Sequence, residues 1–422
     1  EIVSRDWSSD VCSSDLWLTR PSTELNVIEE RQNAVRALLS SPGIQETLVS
    51  QLSTIRDLER LTTKAALGLA MPRDLVGIKA VLKQIPEIQK CLKEAKAPLF
   101  RKFIKRLDPL QDLTKELENA LEDFPPATLR EGGIFKSTYH KEVSELRELS
   151  QDAKGTIAKI EVREKERTGI SSLKIKYSKV FGYTIEITKS HLHKAPEEYI
   201  RKQTIANGER FITEELKNFE ERVLSSETRL KSLEESLFLQ LRKEVAQNSK
   251  PLLQNARVLG ELDVILSFAT VSAKRGYTQP KVSSDWSLRI VEGKHPVIES
   301  LLPAGTFVPN SVFFSEEDCR TLIITGPNMA GKSTIMRQAA LIVILGQMGA
   351  PVPAAAARWG WVSSLHTRIG AHDAIARGQS TFMVEMSELA HLLHHADERS
   401  LVILDEIRSE EHTTELQSRE TI

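Results

Sequence analysis

Apolar residues recur every three or four positions from Leu18 to about Gly169, and this spacing predicts a series of helices. Leu25, Ile28, Val35 and Leu38 form the first apolar stripe. Further stripes run over residues 75–85, 113–121 and 143–160. We expect Pro86 to interrupt the second stripe. Gly169 is expected to end the last helix.

The pattern changes to strict alternation after Gly169. Leu173, Ile175 and Tyr177 are separated by polar residues, and a similar alternation returns over residues 183–187. Alternation with a period of two predicts a hairpin with one packed and one solvated face. More extended chain follows over residues 201–212, with a turn at Asn207-Gly208.

Helical spacing returns at Thr213. Apolar residues spaced by seven form a heptad seam from Leu216 through Val223 and Leu230 to Leu237, which is typical of a rod packed against another rod. Helix, β insertion and helix therefore predict an antiparallel helical pair with a β module at its tip. An ordinary helical domain beside an unrelated β domain is the alternative.

From about residue 280 the pattern is mixed α/β. Short apolar runs at 288–291, 322–324 and 401–404 predict strands, and they alternate with helical segments.

The composition limits the classes of protein that need to be considered. The 422 residues suggest two to four domains, and the formal charge of −1 means that any nucleic-acid surface must be local. Three scattered cysteines favour a reducing compartment such as the cytoplasm. We find no apolar run long enough to span a membrane and no secretory signal.

The stretch TLIITGPNMAGKSTIM carries the most specific chemistry. Residues 326–333 fit the pattern GxxxxGKS between an expected strand and an expected helix. In that setting the backbone N–H groups and the helix N-terminus surround phosphate oxygens. Lys332 neutralises the β and γ phosphates, and the Ser333 hydroxyl ligates Mg²⁺.

A second stretch, LVILDEI, ends an apolar strand in two carboxylates. Asp405 lies 73 residues after Lys332 and is expected to hold the magnesium with its water shell. Glu406 is expected to act as general base on the attacking water. A strand that merely ends in surface acids is the alternative.

Several segments resemble the MutS family of DNA mismatch repair proteins, in the family's order, from about residue 17 to residue 407. The strongest are TGPNMAGKSTIMRQAALIVILGQMGAPVPA, GQSTFMVEM and EGKHPV. Upstream, PRDL, EVREKERTGI, KVFGYTIEITKSH and RKQTIANGERFITEEL resemble the family's helical lever and clamp. The resemblance implies a multidomain α plus α/β fold: a long lever with an inserted β-rich clamp, then a truncated ABC-type P-loop ATPase domain.

The resemblance also implies residue roles. Phosphate-binding positions would be Gly326, Pro327, Asn328, Met329, Ala330, Gly331, Lys332, Ser333 and Thr334. Phe307 would stack on adenine, and a core aromatic is its other interpretation. Ser380 would reach the partner subunit's nucleotide, and a helix N-cap is its other interpretation; both can hold.

The clamp segment carries local positive charge. Residues 156–215 contain 12 Lys and Arg against 9 Asp and Glu, a net charge of +3. This charge suits sequence-independent contact with the backbone of double-stranded DNA. The candidates are Lys174, Lys176, Lys179, Arg201 and Lys202. Lysines that guard a sheet edge are the alternative for any one of them.

The expected domains are a helical core and lever over 17–155, the clamp over 156–215, a returning lever helix and core over 216–280, and an incomplete ATPase domain over 281–407. Residues 1–16 and 408–422 resemble translated sequencing-adapter sequence, so we expect both to be non-native. A strand 401–404 without later neighbours would leave ATP binding weak and hydrolysis slow.

The resemblance implies an ATP-dependent clamp that acts in mismatch repair. ATP and Mg²⁺ would be its cofactors, a homodimer its assembly, mismatch repair proteins its partners and the nucleoid-associated cytoplasm its location. The alternatives are a MutS paralogue acting on other nucleic acids or ribosomes, a structural DNA-tethering ABC-type ATPase, and a fragment without activity.

Overall fold

The computed structural model describes residues 17–178, 182–303, 305–315, 317, 319–327, 330–368 and 381–405, with backbone alone for 149–154 and 381–385. The chain forms two compact units. Of the described residues, the first unit contains those up to 54, those from 86 to 107 and those from 254 onward. The second unit draws on residues 55–85 and 108–253.

Helices dominate the described residues up to 275, as the apolar stripes predict. Their bounds are α1 Leu25–Leu39, α2 Pro42–Thr54, α3 Leu58–Ala66, α4 Pro72–Glu94, α5 Pro98–Arg106, α6 Gln111–Ala120, α7 Lys141–Thr168, α8 Glu214–Gln247 and α9 Ser249–Arg275. Four strands lie between α7 and α8: β1 Lys174–Ser178, β2 Gly182–Thr188, β3 Ile200–Ile205 and β4 Gly208–Ile212.

Helix α4 continues through Pro86, so the expected interruption there is wrong. Proline removes one backbone N–H donor, which weakens the helix locally. The apolar stripe outweighs this loss, because Ile85, Ile88 and Leu92 are all almost fully buried on the same face. The division between the two units falls at this proline.

Helices α7 and α8 form the antiparallel pair that the sequence predicts, within the second unit. Arg163 pairs with Glu215 near one end, and Arg229 reaches Glu142 at 2.6 Å near the other. Gly169 ends α7 in a left-handed conformation with φ of 66°. The Thr213 hydroxyl accepts a hydrogen bond from the Leu216 N–H at 3.2 Å and caps α8.

The heptad seam of α8 is confirmed at Leu216 and Val223 but shifts beyond them. Leu230 and Leu237 are only half-buried. The buried positions there are Glu234, Phe238, Leu241 and Val245. A straight helix with 3.6 residues per turn drifts away from a seven-residue repeat, which explains the shift. The buried Glu234 carboxylate accepts hydrogen bonds from Gly133 N–H at 2.6 Å and Arg147 Nη2 at 2.9 Å.

The β module is one antiparallel sheet in the order β1-β2-β4-β3. The predicted hairpin pairs Tyr177 with Tyr183, and Ile185 lies opposite Phe211 on β4. Gly208 is required where β4 begins, because a Cβ atom there would lie 2.1 Å from the carbonyl oxygen of Ile187. The core of this module includes Leu173, Ile175, Ile185, Ile187, Phe211 and Leu216.

The mixed α/β part lies in the first unit. Its elements are β5 Lys281–Ser283, β6 Leu288–Gly293, α10 Pro296–Leu301, β7 Asn310–Phe314, α11 Lys332–Gln347, β8 Ala356–Gly360, β9 Leu365–Arg368, α12 Thr381–His395 and β10 Leu401–Leu404. One sheet has the order β5-β8-β6-β7, and β9 pairs with β10 in parallel. The strands predicted at 288–291 and 401–404 are therefore confirmed.

The strand predicted at Leu322 to Ile324 is wrong. These residues have no regular structure, and Ile323 is 82% exposed. A strand forms only where a neighbour supplies hydrogen bonds, and no strand elsewhere in the described residues pairs with this segment.

Candidate functional site

The glycine loop leads directly into helix α11. Gly326 has φ of 150° and Gly331, at the N-cap, has φ of 90°; side chains other than glycine rarely adopt these values. The Ile335 N–H donates to the Gly331 carbonyl at 3.1 Å. The N–H groups of residues 332–334 precede that bond, so helix geometry leaves them free to bind an anion.

The Lys332 ammonium folds back over this loop. It donates to the carbonyl oxygens of Gly326 at 2.6 Å and Pro327 at 3.1 Å. Ser333 and Thr334 follow in the first helical turn, and both are half-buried. The loop thus brings a cation, a hydroxyl and the positive end of a helix together, which is the donor set that a phosphate group requires.

The carboxylate strand shares a core with this helix. Leu401 on β10 and Ile335 on α11 both pack against one apolar cluster, centred on Ile290, Ile342 and Trp359. Asp405 follows β10 directly and is 8% exposed. Its N–H donates to the Arg368 carbonyl at 2.8 Å, which extends the pairing of β9 with β10 by one residue.

The structure describes only some of the other residues that were predicted to bind the nucleotide. Phe307 is half-buried in the segment between α10 and β7, and Ala330 donates to the Pro327 carbonyl at 3.3 Å. Asn328, Met329, Ser380 and Glu406 lie outside the described residues. The roles of all of these residues stay predictions.

Four of the five predicted DNA-contacting residues lie on strands β1 and β3 of the β module. Lys176 pairs with Glu186 at 2.7 Å, and Arg201 pairs with Glu209 at 3.0 Å. Lys174 and Lys202 are exposed and form no ion pair within the described part of the chain. Lys179 lies outside that part.

The pairing has an electrostatic consequence for Glu186. Burial acts to raise the pKa of this carboxyl, but hydrogen bonds from Lys176 and Arg210 outweigh burial and hold the pKa below its usual value. The cationic surface of the module is therefore smaller than its lysine and arginine count suggests.

Sequence reasoning missed the role of two glutamates in EVREKERTGI. Glu161 accepts from the Ile175 N–H at 2.9 Å, and Glu164 accepts from the Tyr199 hydroxyl at 2.6 Å and from Arg167 at 2.7 Å. They fasten the end of α7 to the sheet. Acidic residues three apart on one helical face were the available signal, but their partners are distant in sequence.

Fold and site together define a multidomain protein with a helical arm that bears a β module and an α/β part that carries a glycine loop. No helix among the residues described is both long and apolar enough to cross a membrane. A family model for MutS domain III matches residues 15–269, and one for MutS domain V matches residues 322–415.

Individual relatives agree with these matches. The chain is 47% identical over 391 residues to the DNA mismatch repair protein MutS of Symbiobacterium thermophilum, and 46% identical over 400 residues to that of Anaeromyxobacter sp. strain Fw109-5. Each alignment covers 93% of this chain and 45% of the relative. The chain belongs to the MutS family, and it spans about half the length of the curated relatives it matches.

Proposed function

We propose that this chain binds and hydrolyses ATP at residues 326–334 and contacts double-stranded DNA through its β module, as part of a mismatch repair protein. The contact that carries the nucleotide proposal is the Lys332 ammonium held over the carbonyl oxygens of Gly326 and Pro327. These neutral acceptors can be exchanged for the stronger charge-assisted bonds that phosphate oxygens offer. The relatives named MutS support the assignment to mismatch repair.

The residues present also suit magnesium. The Ser333 hydroxyl and the Asp405 carboxylate are oxygen ligands, which Mg²⁺ prefers, and they belong to elements that share one core. A bound Mg²⁺ would neutralise negative charge on the phosphates. Glu406 would take a proton from the attacking water, Phe307 would stack on adenine, and Ser380 would reach the nucleotide of a second subunit in a homodimer.

The DNA proposal rests on the exposed cations of the β module. Among the residues that the structure describes, Lys174 and Lys202 have no carboxylate at ion-pair distance and can meet phosphates directly, whereas Lys176 and Arg201 must first exchange a carboxylate partner. Contacts of this kind bind the duplex without reading its sequence.

A titration of the chain with Mg·ATP tests the nucleotide site. Lys332→Ala removes the charge that meets the β and γ phosphates and should raise the dissociation constant about 10- to 100-fold, the usual value of charge-assisted hydrogen bonds. Lys281→Ala, which removes an exposed lysine from β5, is the matched control and should leave ATP binding unchanged. Equal affinities for the wild type and Lys332→Ala would show that ATP does not bind at this loop.

A further inference from the structure

Helix α11 connects the glycine loop to a polar junction at the other end of the helix. It has 16 residues and is therefore about 24 Å long. Lys332 begins the helix beside the loop, and Gln347 ends it. The side chain of Gln347 is buried, with 3% of the residue exposed.

Gln347 binds two separate stretches of backbone. Its Nε2 donates to the carbonyl oxygens of Ser22 at 3.0 Å and Val362 at 2.9 Å, and its Oε1 accepts from the Val362 N–H at 2.7 Å. The Ser22 N–H returns a bond to the Gln347 carbonyl at 3.2 Å. A buried amide that is satisfied on both sides fixes the geometry of its partners.

A second set of contacts joins the same end of α11 to α1, which begins three residues after Ser22. Arg31 on α1 lies over the Trp17 ring at 3.5 Å, and its Nη1 donates to the Met348 carbonyl at 3.4 Å. A Cβ atom on Gly349 would lie 2.4 Å from the Arg31 stem, so the two segments are in close contact. Burial lowers the pKa of Arg31 to about 10, because the charged guanidinium is partly desolvated.

We infer that Gln347 is a positioning residue that transmits nucleotide binding at the glycine loop to helix α1 through the rigid helix α11. This inference rests on the proposed nucleotide site. Phosphate binding at Lys332 shifts the N-terminal end of α11, and a close-packed helix moves as one body. The Gln347 amide binds Ser22 and Val362 together, so movement of α11 displaces the start of α1 relative to the sheet through these bonds, beside the contacts of Arg31 with Met348 and Gly349.

Gln338 provides a matched control on the same helix. It is also fully buried, but its Nε2 donates to the Asn310 carbonyl at 3.3 Å, on the side of β7. Gln347→Met and Gln338→Met each remove one buried amide and keep a side chain of similar length. Only the first substitution removes the side-chain bond to the Ser22 carbonyl, and the backbone bond from the Ser22 N–H to the Gln347 carbonyl remains.

Hydrogen exchange over residues 22–39, measured with and without Mg²⁺ and a slowly hydrolysed ATP analogue, tests the inference. We expect the analogue to slow exchange there about fivefold or more in the wild type and in Gln338→Met, a usual size for coupling between sites. In Gln347→Met we expect the analogue to bind but to slow exchange over these residues less than in the wild type, because only the contacts of Arg31 and the backbone bond of Ser22 remain.

The possible failures are distinguishable. If Gln347→Met keeps the wild-type response, or if Gln338→Met loses it equally, the inference is wrong and the proposed nucleotide site stands. If the wild type does not bind the analogue, both the proposed site and the inference are wrong. Thermal unfolding of both variants shows that each is folded when the exchange is measured.

Discussion

At the scale of single residues, the partners of each charged group decide which groups remain available for a ligand. The Lys332 ammonium is held by neutral carbonyl oxygens, which a phosphate can replace. Lys176 and Arg201 are held by carboxylates, which compete with a phosphate more strongly. The printed sequence shows the charges, but it does not show this difference.

The difference between paired and free cations predicts unequal effects on DNA binding. The double variant Lys174→Ala with Lys202→Ala should weaken binding to a duplex and reduce the slope of log K against log salt by about 1.8, since each phosphate contact contributes about 0.9. Lys176→Ala with Arg201→Ala should reduce the slope less. Fluorescence anisotropy at several salt concentrations measures both, and equal slope changes would refute the distinction.

At the scale of elements, the contact between α7 and the β module depends on carboxylates. Burial acts to raise the pKa of Glu164, but the bonds from Arg167 and Tyr199 outweigh it and lower the pKa. Glu161 behaves likewise, with Lys165 and the Ile175 N–H as its partners. Burial, and after it the same bond to Glu164, raises the pKa of the Tyr199 hydroxyl.

These shifts predict how stability of the second unit depends on pH. The pKa of such a carboxyl is lower in the folded state than in the unfolded state, where it is near 4.5. Its contribution to stability is therefore complete at pH values above the unfolded pKa, and it is lost as the pH falls through the folded pKa. Urea midpoints should thus be level above about pH 5.5 and fall below about pH 4.5. Glu164→Gln should lower the midpoint at neutral pH and flatten this fall, and an unchanged pH dependence would contradict the prediction.

The spacing of apolar residues predicted most of the helices and strands, but it did not predict the tertiary packing that changes where they begin and end. The helices around the β module, the hairpin and the turn before Gly208 follow from apolar spacing and turn residues. Helix α4 continues through Pro86 because Ile88 and Leu92 are buried, and local sequence rules do not predict this burial. Residues 322–324 look like a strand, but a strand is defined by its neighbour, and that neighbour is distant in sequence.

The candidate site was predictable to a similar degree. Spacing alone placed the glycine loop at the start of α11 and Asp405 at the end of β10, and the structure has both. The hydrogen bonds of the buried Gln347 amide could not be predicted from the sequence, because its partners, Ser22 and Val362, are 325 and 15 residues away. Long-range hydrogen bonds of this kind leave no periodic signal.

At the scale of the whole molecule, the two proposed sites lie in different units. The β module belongs to the second unit, and the glycine loop belongs to the first. The match to domain III, residues 15–269, spans the second unit and parts of the first, whereas the match to domain V, residues 322–415, falls within the first. The resemblance to the MutS family implies an ATP-dependent clamp, so we propose that ATP binding at the glycine loop changes how the β module holds DNA.

The dissociation rate of a DNA duplex from the chain, measured with and without Mg·ATP, tests this claim most directly. We predict that Mg·ATP changes the rate for the wild type by about 5- to 150-fold, the usual range of coupling between two sites. For Lys332→Ala we predict no change, while Lys281→Ala should respond like the wild type. A rate that Mg·ATP leaves unchanged in the wild type, or changes equally in Lys332→Ala, would contradict the claim.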